Sequence, residues 1–476
     1  MRWLVPVGRR RWPAAAFGLL AAVFGALLML GGWVTTGAPA VLVAAGAVLL
    51  LLTLVPVAWA LAAVAALALL VTSPVVAGLG VFLGGAVVLR KTPLRVAATA
   101  TGALVLAGAL VLQVTHPRPD AFYAAPAHPP AGHGVLLRSE PFTRGVPSSS
   151  KARRILYTTT RGDGTATVAS AIVVAATQAP ATPRPVVVWA HGATGLAPDC
   201  APSLRPGPVG TGSIPDLAPA LAAGWIVIAP DYPGLGTKGP HPFLIGPGEA
   251  RSLLDAVLAV RDLTDLRPAP QTLVWGHSQG GNAALWTGII APAYAPAVDL
   301  KGVAALAPGS DVPRLADHWR DEIYSAYLIE SYSETYPDVR FDAYVRAEDR
   351  VTVREQAGRC LDDPKIYLST LSVLRGGDIW KTPPNSGALG ARLRDNVPDQ
   401  PIAVPVLIGQ GKADTTVPAT IQDDYVRREC ATGTTVDYRT FPGLDHVGVL
   451  SGDSPDLVGW SRDRLDGKPP ASTCSR

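Results

Sequence analysis

Two patterns of hydrophobic and polar positions divide the chain. Residues 14–34 and 38–89 are apolar and uncharged, and a further apolar run covers residues 96–114. From about residue 135, short apolar segments alternate with mixed polar ones. A membrane-spanning helix needs about 20 apolar residues. The pattern therefore predicts an all-α transmembrane module at 1–115, a linker at 116–134 and a folded domain at 135–476.

The length of the apolar runs leaves four or five spans open. The first and last runs each match one helix, and the middle run is long enough for two or three, with breaks predicted at Pro56 and Pro74. Residues 14–89 contain no ionisable side chain, and such a side chain would be expected in a transport pathway. We interpret the module as a multi-pass anchor in the cell membrane.

Basic residues decide the predicted orientation. The arginines at 9–11 favour a cytoplasmic N-terminus. Five spans place the basic loop at 90–95 inside and the folded domain outside, whereas four spans reverse both. The four cysteines, Cys200, Cys360, Cys430 and Cys474, permit two disulfides in an oxidising compartment, with the pairing open. We therefore favour an extracytoplasmic folded domain.

The composition limits the classes of partner that the chain can bind. Apolar residues make up 48% of the chain, charged residues only 16%, and the mean hydropathy is +0.26, which indicates a lipid environment. A net charge of +4 without a basic run between aromatics excludes a nucleic-acid partner. Five prolines and three histidines in the linker predict an extended, solvated spacer.

The folded domain shows alternating strand and helix patterns. Residues 154–158 and 167–175 predict an antiparallel hairpin around Gly162-Asp163-Gly164. Apolar runs that predict further strands, with helical stretches such as 248–263 between them, lie at 185–190, 225–229, 272–275, 302–306, 404–408 and 435–439. This alternation predicts a mostly parallel α/β sheet.

The strand at 272–275 leads directly into Gly-His-Ser-Gln-Gly, and a helix pattern follows. This is the strand, tight turn and helix that a nucleophile elbow requires, with Ser278 as the nucleophile. In the chain order serine, acid, histidine, only His318 and His446 follow Ser278. His318 lies in an amphipathic helical stretch, whereas His446 lies in a loop after the last predicted strand. We therefore predict His446 as the base.

The third member of a triad orients the histidine. Asp414 follows the strand at 404–408 and precedes His446, and we prefer it to Asp445, whose side chain is adjacent to the histidine in sequence. The tetrahedral intermediate needs two oxyanion donors. We predict the backbone N–H groups of Gln279 and of Ala193, with Thr194 as the alternative to Ala193 and His191 as a brace of that loop.

Five motifs together resemble one family. HGATGLAPDCAPS (191–203), DYPGLG (231–236), GHSQGGNAALW (276–286), GKADTTVP (411–418) and LDHVGV (444–449) are similar to the secretory lipases, or lipase A-type enzymes, of the α/β-hydrolase superfamily. The resemblance covers about residues 135–460. It implies an α/β-hydrolase fold with a helical cap, lipase or esterase activity, a Ser278–Asp414–His446 triad and a secreted domain. The membrane module lies outside it.

The cap is predicted at about 310–400, where the insertion holds six of the twelve tyrosines, typical of an acyl pocket: Tyr324, Tyr327, Tyr332, Tyr336, Tyr344 and Tyr367. We predict a serine ester hydrolase that needs no metal or organic cofactor and acts on a lipid-like or small ester. An acyltransferase using the same triad, a non-catalytic membrane-bound binding module and, less favoured, a peptidase are the alternatives. The natural ester, the acyl chain length and the oligomeric state are not determined by the sequence.

Overall fold

The computed structural model describes residues 117–178, 181–209, 214–320, 322–363, 378–451 and 456–474. The predicted transmembrane module at 1–115 lies outside these residues. Within them, no helix combines the length and the apolar character that crossing a bilayer requires.

A nine-stranded mixed sheet is the centre of the described part of the chain. Its order is β1-β2-β3-β5-β4-β6-β7-β8-β9. The pairs β1–β2, β2–β3 and β3–β5 are antiparallel, and the remaining pairs are parallel. The strands are β1 Leu136–Phe142, β2 Ser150–Thr160, β3 Ala166–Ala176, β4 Arg184–Ala190, β5 Ile226–Pro230, β6 Pro268–His277, β7 Asp299–Leu306, β8 Val406–Gly411 and β9 Val436–Phe441.

The apolar central strands form because both faces of the sheet are covered. In β4, Val186, Val187 and Val188 are at most 1% exposed. Val187 pairs with Leu273 of β6 and Val188 with Val274, so apolar residues stack across neighbouring strands. Uninterrupted runs of this kind are typical of parallel sheets under two helical layers.

Helices follow most of the parallel strands. The helix after β6 is apolar over most of its surface because it is buried on the sheet; only its C-terminal end is partly exposed. Short 3-10 helices lie at Ala121–Tyr123, Pro198–Cys200, Pro202–Leu204, Thr264–Leu266 and Gly448–Leu450. Among the described residues, the α-helices outside the β7–β8 connection are α1 Leu217–Ala222, α2 Gly246–Val260, α3 Gln279–Tyr294, α9 Ala419–Ala431 and α10 Leu457–Leu465.

The connection between β7 and β8 is helical, as the family resemblance implies for a cap. A separate apolar core holds it together, with Trp319, Tyr327 and Tyr332 at most 3% exposed. Its helices within the described residues are α4 Val312–His318, α5 Ile323–Thr335, α6 Phe341–Tyr344, α7 Arg350–Ala357 and α8 Gly387–Asp395.

The predicted linker is packed on the domain over part of its length. Phe122 and Tyr123 are 4% and 2% exposed, and Tyr123 shares a hydrogen bond with the Ser203 hydroxyl. His133 lies 2.5 Å from the buried Asp255 carboxylate and stacks on Tyr294. The expectation of a solvated spacer is therefore wrong for these residues. Burial of their aromatic side chains against the domain surface lowers the free energy of the folded state.

Candidate active site

Ser278 occupies a strained turn between β6 and α3. Its φ is 56° and its ψ is −118°, a region that residues with a Cβ rarely adopt. A Cβ on Gly276 would overlap the carbonyl of Gly280, and a Cβ on Gly280 would overlap the carbonyl of Ala190. The strand, turn and helix predicted around Ser278 are confirmed, and both flanking glycines are required by the close backbone approach.

His446 and Asp414 lie together at the same edge of the sheet. The His446 Nδ1 is 2.8 Å from the Asp414 Oδ2. Asp414 is also an acceptor for the N–H groups of Thr416 and Val417, at 2.9 and 2.8 Å, and for the Gln410 amide at 3.0 Å. Burial raises the pKa of Asp414, but these hydrogen bonds and the nearby histidine outweigh burial and hold the pKa below its ordinary value.

Asp445, the alternative to Asp414 as the acid, makes a different contact. Asp445 is exposed, and its Oδ1 accepts the N–H of Gly448 at 2.7 Å, within its own loop. The other later histidine, His318, contacts the carbonyl of Thr415 through its Nε2 at 2.7 Å. Neither makes the paired contact that joins His446 to Asp414.

The loop of His446 is anchored beside the serine by a residue that sequence reasoning missed. The Nε2 of His277 donates to the carbonyl of His446 at 2.8 Å, and the two rings lie 4.7 Å apart. Burial, with the nearby His446 as the next cause, lowers the pKa of His277 to about 4, so the ring is neutral near pH 7. A histidine directly before the nucleophile is the only sequence signal for this brace.

No direct hydrogen bond joins the proposed nucleophile to its base. Within the described residues, the Ser278 hydroxyl makes no hydrogen bond of 3.5 Å or less to the His446 ring. Because Asp414 engages Nδ1, Nε2 is the nitrogen left for the serine. In ligand-free hydrolases this contact is often long and shortens when substrate is bound.

The predicted oxyanion loop lies against the nucleophile. A Cβ added at Gly192 would lie 3.4 Å from the Cβ of Ser278, and Ala193 lines the same cavity as Ser278 and Gln279. The carbonyl of Thr194 accepts the N–H of Leu361 from the cap at 2.9 Å. Ala193 thus borders the cavity over Ser278, and Thr194 joins the loop to the cap.

The cavity over Ser278 is small and mostly apolar. Its volume is about 10 Å³, room for about one water molecule, and Ser278 is partly exposed. Of the described cap tyrosines, Tyr324 lines the cavity, whereas Tyr327 and Tyr332 are buried with their hydroxyls on the carbonyls of Arg359 and Leu244. Tyr367 lies outside the described residues. The lining residues are Ala193, Phe243, Leu244, Ser278, Gln279, Gly309, Trp319, Tyr324 and Thr416.

Two disulfides settle the cysteine pairing that the sequence left open. Cys200 bonds Cys360 and Cys430 bonds Cys474. The first joins the segment after the predicted oxyanion loop to the turn that follows the cap helix α7. Asp199 lies beside this pair in an arrangement that resembles a metal site, but both sulfurs are in the disulfide. A metal would need them as thiolates, so these residues do not fit one.

Known proteins match this sequence and this fold. The secretory lipase family model matches residues 214–473, more than half of the chain. The chain belongs to the secretory lipase family. The predicted lipase or esterase class is confirmed at this level. A secreted triacylglycerol lipase of Malassezia globosa is 29% identical over 408 residues, which cover 77% of this chain and 86% of the relative.

The chain is also similar to a probable inactive lipase and to a solved lipase structure. A probable inactive lipase of Mycobacterium tuberculosis is 27% identical over 392 residues, covering 74% of this chain and 83% of the relative. The closed state of Candida antarctica lipase A superposes with a TM-score of 0.61 at 20% identity, covering 76% of this chain and 89% of that one. This similarity confirms the predicted α/β-hydrolase-like fold.

Proposed function

We propose that this protein is a membrane-anchored serine ester hydrolase with Ser278, His446 and Asp414 as its triad. The observation that carries the proposal is the buried Asp414 carboxylate, which lies 2.8 Å from the Nδ1 of His446. The loop that contains His446 is in turn hydrogen-bonded to His277, the residue before Ser278. A carboxylate, a histidine and a serine in this relation perform nucleophilic acyl transfer in hydrolases of unrelated folds.

The mechanism assigns one role to each group. The Nε2 of His446 takes the proton from the Ser278 hydroxyl, and the Ser278 Oγ attacks the ester carbonyl. The N–H groups of Gln279 and Ala193 stabilise the oxyanion. His446 then gives its proton to the departing alcohol, which leaves an acyl-enzyme. Water, deprotonated by His446, attacks the acyl carbon and releases the acid and free Ser278.

The surroundings of Ser278 support a lipid-like ester as the substrate. Phe243, Leu244 and Trp319 form an apolar wall that suits an acyl chain. Because the cavity holds about one water molecule, we propose that the cap moves to admit an acyl chain. The secreted lipases among the relatives and the two disulfides support an extracytoplasmic domain, and the apolar runs within 1–115 support its attachment to the membrane.

A fluorophosphonate probe and a panel of p-nitrophenyl esters of increasing chain length test the chemistry. The wild type should be labelled and should hydrolyse the esters, and Ser278→Ala should do neither. Ser310→Ala is a matched control, because Ser310 is buried near the site but bonds only Gln422 among its side-chain partners within the described residues. Labelling that persists in Ser278→Ala would refute the assignment.

The relative described as a probable inactive lipase favours one second candidate, a non-catalytic binding module on the same scaffold. Absence of turnover over the whole ester panel, by a folded protein, would support that candidate. Attachment is tested separately by carbonate extraction of membranes, and sidedness by protease treatment of whole cells, because all four cysteines are in disulfides. The chain should stay with the membrane, and its domain should be reached from outside.

A further inference from the structure

A buried polar network lies behind the nucleophile, on the side that the triad does not use. Its centre is Gln279, whose backbone N–H is the proposed first oxyanion donor. The side-chain Nε2 of Gln279 donates to Glu249 Oε1 at 2.6 Å and to His241 Nε2 at 2.8 Å. Glu249, His241 and Gln279 are all at most 2% exposed. Neither Glu249 nor His241 has a role in the mechanism above.

The hydrogen atoms of this network can be assigned from its partners. The Nδ1 of His241 lies 3.1 Å from the carbonyl of Pro233, which can only accept, so Nδ1 carries the proton. The Nε2 of the neutral ring must then accept from the Gln279 amide. The second amide hydrogen goes to Glu249. Both donor hydrogens of the Gln279 side chain are therefore fixed by named acceptors.

Glu249 also holds the wall of the cavity. Its Oε1 accepts the N–H of Leu244 at 3.2 Å, and Leu244 lines the cavity over Ser278 in a left-handed conformation with φ of 54°. A residue other than glycine persists in that conformation only where its surroundings stabilise it. Glu249 thus contacts both the residue after the nucleophile and a residue that faces the substrate.

The network also reaches the loop that carries the second proposed oxyanion donor, Ala193. The ring of Tyr232 lies 5.8 Å from the ring of His241 and 4.5 Å from that of His191, and its hydroxyl donates to the carbonyl of His191 at 3.1 Å. His191 immediately precedes Gly192 and Ala193. The segments that carry the two proposed donors are therefore connected through buried side chains.

We propose that Glu249 is a positioning residue, which fixes the Gln279 backbone N–H and the Leu244 wall beside Ser278 through its two hydrogen bonds. This inference rests on the proposed ester hydrolysis. A donor that is displaced by a fraction of an ångström stabilises the oxyanion less, because preorganisation is the source of the effect. Loss of Glu249 should therefore lower kcat more than it changes KM.

The charge of Glu249 gives the proposal a distinctive signature. Burial raises its pKa to about 8, against the opposing hydrogen bonds from Gln279 and Leu244. The titratable side chains that face it from neighbouring elements, within the described part of the chain, are neutral. Burial lowers the pKa of His241 to about 3 and raises the pKa values of Tyr232 and Tyr332 well above 10. Ionisation above about pH 8 would place an uncompensated negative charge behind the oxyanion site.

The test compares Glu249→Gln and Glu249→Ala with the wild type by kcat and KM on a p-nitrophenyl ester from pH 5 to pH 10. Wild-type kcat should fall above about pH 8, and Glu249→Gln, which keeps an acceptor oxygen but cannot ionise, should lose that fall. Glu249→Ala should lower kcat about tenfold to a hundredfold, less than the loss of a whole oxyanion donor, with KM changed less than threefold.

Glu429→Gln is the matched control. Glu429 is also a fully buried glutamate, and burial raises its pKa to about 7, but its carboxylate bonds Thr434 rather than a residue of the site. This variant should keep the wild-type pH profile of kcat. An alkaline fall that persists in Glu249→Gln, or a wild-type kcat in Glu249→Ala, would overturn the positioning role. Activity retained by Ser278→Ala would instead overturn the proposed triad.

A second measurement does not depend on activity. The pKa of Glu249 is higher in the folded protein than its unfolded value near 4.5, so its stabilisation is complete below about pH 4.5 and is lost as the pH rises through about 8. The Tm of the wild type minus that of Glu249→Gln should therefore decrease from pH 5 to pH 9. A difference that stays constant would show that the carboxyl does not titrate as the network requires, and would overturn the proposal.

Discussion

The contact between Asp414 and His446 can be tested by replacing Asp414 with asparagine, which keeps the volume and removes one acceptor. In the wild type, Oδ1 accepts the N–H groups of Thr416 and Val417, and Oδ2 accepts from His446 and Gln410. The side chain of Asp414→Asn has one carbonyl oxygen, and the two backbone N–H groups require it at the Oδ1 position. Its NH₂ group then faces the Nδ1 of His446.

This arrangement reverses the histidine tautomer. Facing a donor, the Nδ1 of His446 must be unprotonated, so that the ring hydrogen moves to Nε2 and no base is left for Ser278. The wrong tautomer in a serine-histidine-aspartate triad costs on the order of 10³–10⁴ in kcat, which corresponds to about 4–5.5 kcal/mol of transition-state stabilisation. Because the substituted side chain stays the same size, we expect KM and the fold to change little.

Steady-state hydrolysis of a p-nitrophenyl ester measures the effect, with circular dichroism to show that the variant is folded. Asp445→Asn is the matched control, since Asp445 is exposed and bonds only Gly448 among the described residues, and it should keep wild-type kcat within about twofold. If Asp414→Asn loses less than tenfold in kcat, or if Asp445→Asn loses more than Asp414→Asn, the assignment of the acid is refuted.

Three further predictions follow from single contacts. Gly280→Ala should abolish activity and lower the folded yield, because its Cβ overlaps the Ala190 carbonyl, whereas Gly207→Ala, whose Cβ meets nothing within 4 Å, should resemble wild type in activity and circular dichroism. His277→Phe should lower kcat/KM about tenfold through loss of the hydrogen bond to His446, and an unchanged kcat/KM would contradict the brace. Replacing both members of the Cys200–Cys360 pair, which are 160 residues apart, with alanine should lower the free energy of unfolding by about 5 kcal/mol, against about 4 kcal/mol for Cys430–Cys474, as measured by urea unfolding.

The strands that position the site could be predicted because their runs of apolar residues indicate burial directly. The predicted strand at 185–190 corresponds to β4 Arg184–Ala190, and the hairpin around Gly162-Asp163-Gly164 corresponds to the antiparallel pair β2–β3. The strand β1 Leu136–Phe142 was missed. It pairs with β2 alone, most of its side chains are partly exposed, and it contains Pro141, so that neither alternation nor an apolar run marks it.

The cap tyrosines show where composition is a poor guide. Their density predicted an acyl pocket, yet Tyr327 and Tyr332 use their rings for the core of the cap and their hydroxyls for backbone carbonyls. A tyrosine can serve a pocket or a core with the same side chain, and only its position in three dimensions decides which. Tyr324, which does line the cavity, carries no sequence feature that separates it from the other two.

The supporting residues of the site could not be found from the sequence for a related reason. Chain order names a nucleophile, an acid and a base because those residues follow strands in a fixed sequence. The partners that hold them have no such order: Glu249 precedes Gln279 by 30 residues, and His277 and His446 are 169 residues apart. An unpaired polar atom is costly when it is buried, so each of these side chains needs a hydrogen-bond partner from whichever segment packs nearby. A triad can therefore be proposed from a sequence, whereas the residues that we propose to set its geometry and its pH dependence are found only from the packing around it.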